Sequence, residues 1–231
     1  MREKILHRVA LIGLLVTAGY LRFSGLLWGE YQYQHPDERF LVWVVADLAP
    51  VEQWTDYFNT AQSTLNPANR GHGFFVYGTL PVFSTRYLTD ALFPQSGWQE
   101  ILQVGRALSA ASDLLTVLLV YLTAARLLGR RLALLAAWFS ALAVLQIQQA
   151  HYFTVDSFAT TFTMLAIYLA GRMLATGTPT PTSRSASLLA ALSFGIVVGL
   201  AMACKLNTFP VAFLLPAALA YPLDARAGGP A

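Results

Sequence analysis

Apolar residues dominate long stretches of this chain, and polar residues are confined to the gaps between them. Runs of about 20 apolar residues, enough to cross a bilayer core as helix, occur near 8–28, 101–128, 132–150, 157–175 and 188–205. A sixth run, near 207–223, is interrupted by Pro210, Pro216 and Pro222. Backbone in lipid must satisfy its own hydrogen bonds, so each run predicts a helix. Residues 29–100 separate the first two runs and hold two segments of mixed character. These are RFLVWVVADLA at 39–49 and GFFVYGTLPVFSTRYLTDALF at 73–93. The second is long enough to span, but it contains Pro81, with Arg86 and Asp90 at i,i+4 spacing. Both predict interfacial or re-entrant amphipathic elements. The Pro/Ser/Thr-rich stretch 176–187 reads as a linker. The expected fold is therefore all-α: a polytopic membrane bundle of about six transmembrane helices. A large extracytoplasmic first loop carries the interfacial helices.

Composition agrees with that class. The chain has 231 residues, 56% of them hydrophobic and 12% charged, against about a quarter charged in soluble domains. The net charge of +3 is then a matter of membrane sidedness, not of nucleic-acid binding. Arg2, Lys4, Arg8, Arg126, Arg130, Arg131, Arg172, Arg184 and Arg226 fall on one side of the predicted spans. The positive-inside rule makes that side cytoplasmic, with the N-terminus there. The start, MREKILHR, is similar to a signal peptide, but no small-residue cleavage site follows, so the first span is expected to be retained. The single cysteine, Cys204, excludes an intrachain disulfide.

With this topology the acidic residues and most histidines gather outside. Asp37, Glu38, Asp47, Glu52, Asp56, Asp90, Glu100 and Asp156 lie there, as do His35, His72 and His151. The stretch QHPDERF, 34–40, is the densest polar cluster. Pro36 suits the first position of a helix, and carboxylates in its first turn complement the helix dipole. The same carboxylates, close to apolar surface, suit a general base. Downstream, QQAHYFTVDSF at 148–158 places His151 and Asp156 at an outer mouth, where Asp156 or Thr154 would also serve as a helix cap. Arg106 and Asp113 share one face of the second span, where ionisable residues are costly and point to function. Arg106 either binds a phosphate with its guanidinium fork or snorkels to the interface. Asp113 has no evident role. Lys205, closing the fifth span, either meets a lipid phosphate or snorkels. His and carboxylate ligands at the mouth would admit a divalent metal, although the spacing matches no recognised metal motif.

In order along the chain, HPDERF, YGTLPVFSTRYL, VGRALSAASDLLTVLLVYLTAARLLGRR, QQAHYFTVDSF and GLAMACKLNTF form a familiar series. The series resembles the C-type membrane glycosyltransferases that use lipid-phosphate sugars. These include the dolichyl-phosphate-mannose protein mannosyltransferases and the bacterial aminoarabinose transferases of lipid A. The resemblance implies an inverting transfer from a polyprenyl-phosphate sugar to a protein, lipid or glycan acceptor on the outer face of the plasma membrane. It implies Asp37 as the base that deprotonates the acceptor, with Glu38 orienting it or shaping the pocket. Arg106 and Lys205 become candidates for the donor phosphate and Asp156 for a supporting or metal-facing carboxylate. His151 and His35 complete the substrate-binding candidates, His35 as pocket wall or ligand. Family members are longer, so 1–231 is expected to be a single membrane-embedded module cut short at its C-terminus.

Two other classes bear on the same sequence. A transporter would place ionisable groups near the midplane on broken helices, often in repeats, whereas here charge crowds one face and no repeat is found. A non-catalytic scaffold would explain the apolar bundle but not the clustering of carboxylates and histidines. Convergence of those side chains in the folded chain separates the readings, since geometry comes before proton affinity in assigning a base.

Overall fold

A computed structural model of the protein describes residues 2–176 and 184–220. Among these residues the secondary structure is helical throughout, in ten α-helices and two 3-10 segments. The bundle is built on α1 (Arg2–Phe23), α5 (Trp98–Leu127), α6 (Arg130–Leu142), α7 (Val144–Ala150), α8 (Val155–Thr176) and α9 (Arg184–Cys204). The first loop carries α2 (Pro36–Asp47), α3 (Trp54–Phe58), a 3-10 turn at Pro67–Arg70 and α4 (Leu80–Leu92). A 3-10 segment, Leu206–Phe213, leads into α10 (Leu214–Ala220).

Burial on α1 shows what surrounds the bundle. Leu14, Ala18 and Arg22, four residues apart, are buried, while Ile5, Leu6, Val9, Ile12 and Val16 are exposed. A helix that is apolar around its whole circumference but packs by one narrow stripe is suited to lipid. The stripe meets Ala133, Ala137 and Ala141 of α6 and Val117, Tyr121 and Ala124 of α5. Small residues at a four-residue spacing let the helix backbones approach closely. The chain is thus an all-α membrane bundle.

By length and composition, α1 and α5 are each apolar enough to cross a membrane, and α6 with α7 make a third span if counted together. The other expected spans are helical but differ in detail. α8 is apolar along most of its length, with Asp156 in its first turn. The apolar part of α9, Leu188–Cys204, is shorter. The run expected as one helix at 207–223 is a 3-10 segment containing Pro210, followed by the short α10. Proline removes a backbone donor and clashes with the preceding turn. Pro222, Arg226 and most of the 176–187 linker lie outside the described residues.

The expected helix at 132–150 is bent by 57° between α6 and α7. Neither proline nor glycine occurs at the bend. The cause lies on another helix: Arg22 donates from Nη1 to the Ala141 carbonyl (3.0 Å) and from Nη2 to the Ser140 carbonyl (3.2 Å). A buried guanidinium thereby satisfies carbonyls that a continuous helix would pair internally. Its Nε is held by Asp113 at 2.6 Å.

Two of the first-loop helices, α2 and α4, are more deeply packed than interfacial helices need to be. Leu41, Val42, Val44 and Val45 of α2 are fully buried against Val82 of α4, Ile101 and Leu102 of α5, and Phe153. α4 starts at Leu80, inside the segment expected from 73, because the chain before it runs past the end of α9. Arg86 of α4 holds Asp90 and Ser96, and reaches the Val45 carbonyl at 3.4 Å. This core is the platform under the site.

Candidate active site

The polar cluster at 34–40 folds into the start of α2. His35 is extended and caps the helix, its Nδ1 accepting the Asp37 N–H at 3.2 Å. Pro36, whose missing N–H costs nothing at that position, starts the helix. Successive residues of a helix point about 100° apart, so Asp37 and Glu38 part company.

Glu38 turns inward and is fully buried, as is Arg106. The pair is bidentate: Arg106 Nε donates to Glu38 Oε1 and Nη2 to Oε2, each at 2.8 Å. Oε1 also accepts the Phe153 N–H at 2.8 Å. Arg106 Nη1 donates to the carbonyls of Leu26 (3.0 Å) and Trp28 (3.1 Å), and the guanidinium lies 5.7 Å from the Trp28 ring. Burying two charges costs several kcal/mol per ion, which this nearly complete set of charge-assisted bonds offsets. Gly105 makes the closure feasible, since a Cβ there would overlap the Phe153 ring. The knot binds the start of α2, α5, the turn after α1 and the segment after α7 at one point. Neither side chain presents an exposed atom to a ligand.

Asp37, half-buried, faces Tyr77 instead. The Tyr77 ring packs on Phe40 (centroids 6.2 Å apart), one helical turn beyond Asp37, and on Phe75 (6.0 Å). The next residue anchors the segment: Gly78 N–H donates to the Cys204 carbonyl at 2.9 Å, and a Cβ at Gly78 would overlap the Ala203 carbonyl. The Tyr77 phenol is pushed up to about 12, first by burial, then by the negative charge of Asp37 and a hydrogen bond to it, then by the charge of Asp156. It is therefore a neutral donor at ordinary pH.

Lys205 follows Cys204 directly. Its Nζ donates to Asp156 Oδ1 at 2.7 Å, and both side chains remain partly exposed, 35% and 44%. They border an open groove of about 260 Å³, whose other walls include Thr160, Thr163, Asn207 and Thr208. Tyr77, from the segment before α4, thus lies within electrostatic reach of Asp37 on α2 and of Asp156 on α8, and Asp156 is paired with Lys205 at the end of α9.

The remaining polar candidates are engaged elsewhere. His35 caps α2, and its ring lies 5.0 Å from that of Tyr152. His151 is held between two backbone carbonyls, of Ile147 (2.7 Å at Nδ1) and Ser24 (2.9 Å at Nε2). His72 pairs with Asp47 at 2.8 Å. Among the described residues no three His, Cys, Asp or Glu side chains gather closely enough to hold a metal ion. Two residues stand out that sequence reasoning had not weighed. Tyr77 is one, although its segment had been singled out. Arg22, the partner of Asp113, is the other; a search for the opposite charge each intramembrane ion needs would have found it.

A family model described as dolichyl-phosphate-mannose-protein mannosyltransferase matches residues 91–226. No curated protein and no solved structure matches the chain. The matched region holds Arg106, His151, Asp156 and Lys205, while His35, Asp37, Glu38 and Tyr77 precede it.

Proposed function

The chain belongs to the dolichyl-phosphate-mannose-protein mannosyltransferase family, a membrane glycosyltransferase family using lipid-linked sugars, and from that premise we propose an inverting transfer in which Asp37 is the base. The donor is a polyprenyl-phosphate sugar with its tail in the bilayer, and the acceptor is a protein, lipid or glycan on the extracytoplasmic side of the plasma membrane. The acceptor's hydroxyl or amine gives its proton to Asp37 as its heteroatom attacks the anomeric carbon. The bond from that carbon to the phosphate oxygen breaks, and the electron pair leaves with the lipid phosphate. A phosphate leaving group needs positive charge more than it needs an acid, and Lys205 supplies that charge, aligned by Asp156.

What supports this reading is that the Tyr77 phenol feels the charges of both Asp37 and Asp156, and that Asp156 is paired with Lys205. Asp37 comes from the first loop, and the Asp156–Lys205 pair beside the groove comes from the matched region. Glu38 and Arg106 act through position: the knot fixes the start of α2 and hence the direction of Asp37. Sidedness is supported by the distribution of arginines along the sequence.

The test supplies membranes containing the full-length protein with a labelled polyprenyl-phosphate sugar and identifies the labelled product. Asp37→Asn is expected to lower transfer at least about 100-fold while inserting and folding as wild type. Undiminished transfer in that variant would remove Asp37 from the role of base.

A further inference from the structure

Tyr77 lies in the first loop, outside the matched region, and its hydroxyl faces the proposed base. Three contacts hold its ring and backbone in place. Its ring rests on Phe40, which shares a face of α2 with Asp37 at i,i+3 spacing. Phe75 packs on both rings, its centroid 6.0 Å from that of Tyr77 and 6.3 Å from that of Phe40. The following backbone, at Gly78, is tied to the carbonyl of Cys204, immediately before Lys205, with no room for a side chain.

We propose that Tyr77 is the positioning residue for Asp37: its phenol O–H donates to the Asp37 carboxylate and directs the carboxylate toward the acceptor. Through Gly78, the same segment sets the distance between the base and the phosphate-binding lysine. The base and Lys205 sit on elements far apart in sequence, and the 77–78 strap is a direct link between them. This inference rests on the reading of Asp37 as the base. The charged groups around the phenol are Asp37 from α2 and Asp156 from α8, with Lys205 paired to Asp156; the Phe40 and Phe75 rings beside it are neutral. The Glu38–Arg106 knot lies behind α2, and His72 reaches the cluster only through Phe40.

The experiment compares Tyr77→Phe, Gly78→Ala and Asp37→Asn with wild type, in membranes given labelled polyprenyl-phosphate sugar. Tyr77→Phe keeps the ring and removes the donor. It is expected to lower kcat roughly 10- to 100-fold, the worth of a hydrogen bond to a charged group, with donor KM unchanged. Gly78→Ala keeps the phenol and displaces the strap, so it lowers kcat and raises donor KM together. If Asp37→Asn abolishes transfer while Tyr77→Phe leaves kcat unchanged or changes donor KM instead, the positioning role is wrong and the base assignment stands. If Asp37→Asn transfers normally, the base assignment itself is wrong. Should Tyr77→Phe fail to fold, Gly78→Ala decides: unchanged kcat and KM overturn the proposal.

Discussion

Glu38–Arg106 and Asp156–Lys205 are both carboxylate–cation pairs at nearly the same separation, 2.8 and 2.7 Å, yet their surroundings differ. The first is fully buried, bidentate and bonded on both sides to backbone. The second is partly exposed, joined by one bond and bordered by an open groove. Arginine's planar fork suits a closed, bidentate site, and lysine's single ammonium suits an exchangeable one. The difference teaches which charges hold the fold and which remain accessible to a ligand. Two adjacent residues, Glu38 and Asp37, fall on opposite sides of that division.

The largest expected effect comes from opening the closed pair. Arg106→Ala leaves Glu38 buried without its partner and should cost about 3–5 kcal/mol, seen as a lower unfolding temperature in detergent. The double variant Glu38→Leu with Arg106→Met should recover much of that stability, since apolar replacement of a whole buried pair is often neutral, while transfer stays lost. The same logic applies to the Arg22–Asp113 pair, where Arg22→Ala should also free the Ser140 and Ala141 carbonyls at the α6–α7 bend. Next in size is Lys205→Met. An exposed pair contributes about 0–1 kcal/mol, so stability should barely move, while donor KM rises and transfer falls. If Lys205→Met proved as destabilising as Arg106→Ala, the contrast between closed and open pairs would be lost.

The smallest effect lies at alkaline pH. The phenol of Tyr77 is raised from 10.0 to about 12 in the folded chain, first by burial. A raised value means the folded chain holds this proton more tightly. Its contribution to stability is complete below pH 10 and is lost as pH rises toward 12. Stability measured across that window should fall less steeply in Tyr77→Phe than in wild type, and an identical slope would argue against the contact with Asp37.

These contrasts explain what was legible in the sequence. The helices were, because apolar length and the obligation to satisfy backbone in lipid are local facts. The bend at Ala143 was not, because Arg22 on another helix causes it. Asp37, Asp156 and Lys205 were each identifiable as polar residues in costly places. The mutual satisfaction of Glu38 and Arg106, 68 residues apart, was not, since spacing cannot tell a free arginine from a spent one. Tyr77 escaped for a related reason: its place depends on Gly78 packing against the end of α9, a contact without periodicity.

The most direct test is sugar transfer by Asp37→Asn beside wild type, in membranes where insertion and thermal stability of both are verified. Catalysis by Asp37 predicts normal folding with transfer reduced at least about 100-fold; equal transfer by the two proteins would contradict it.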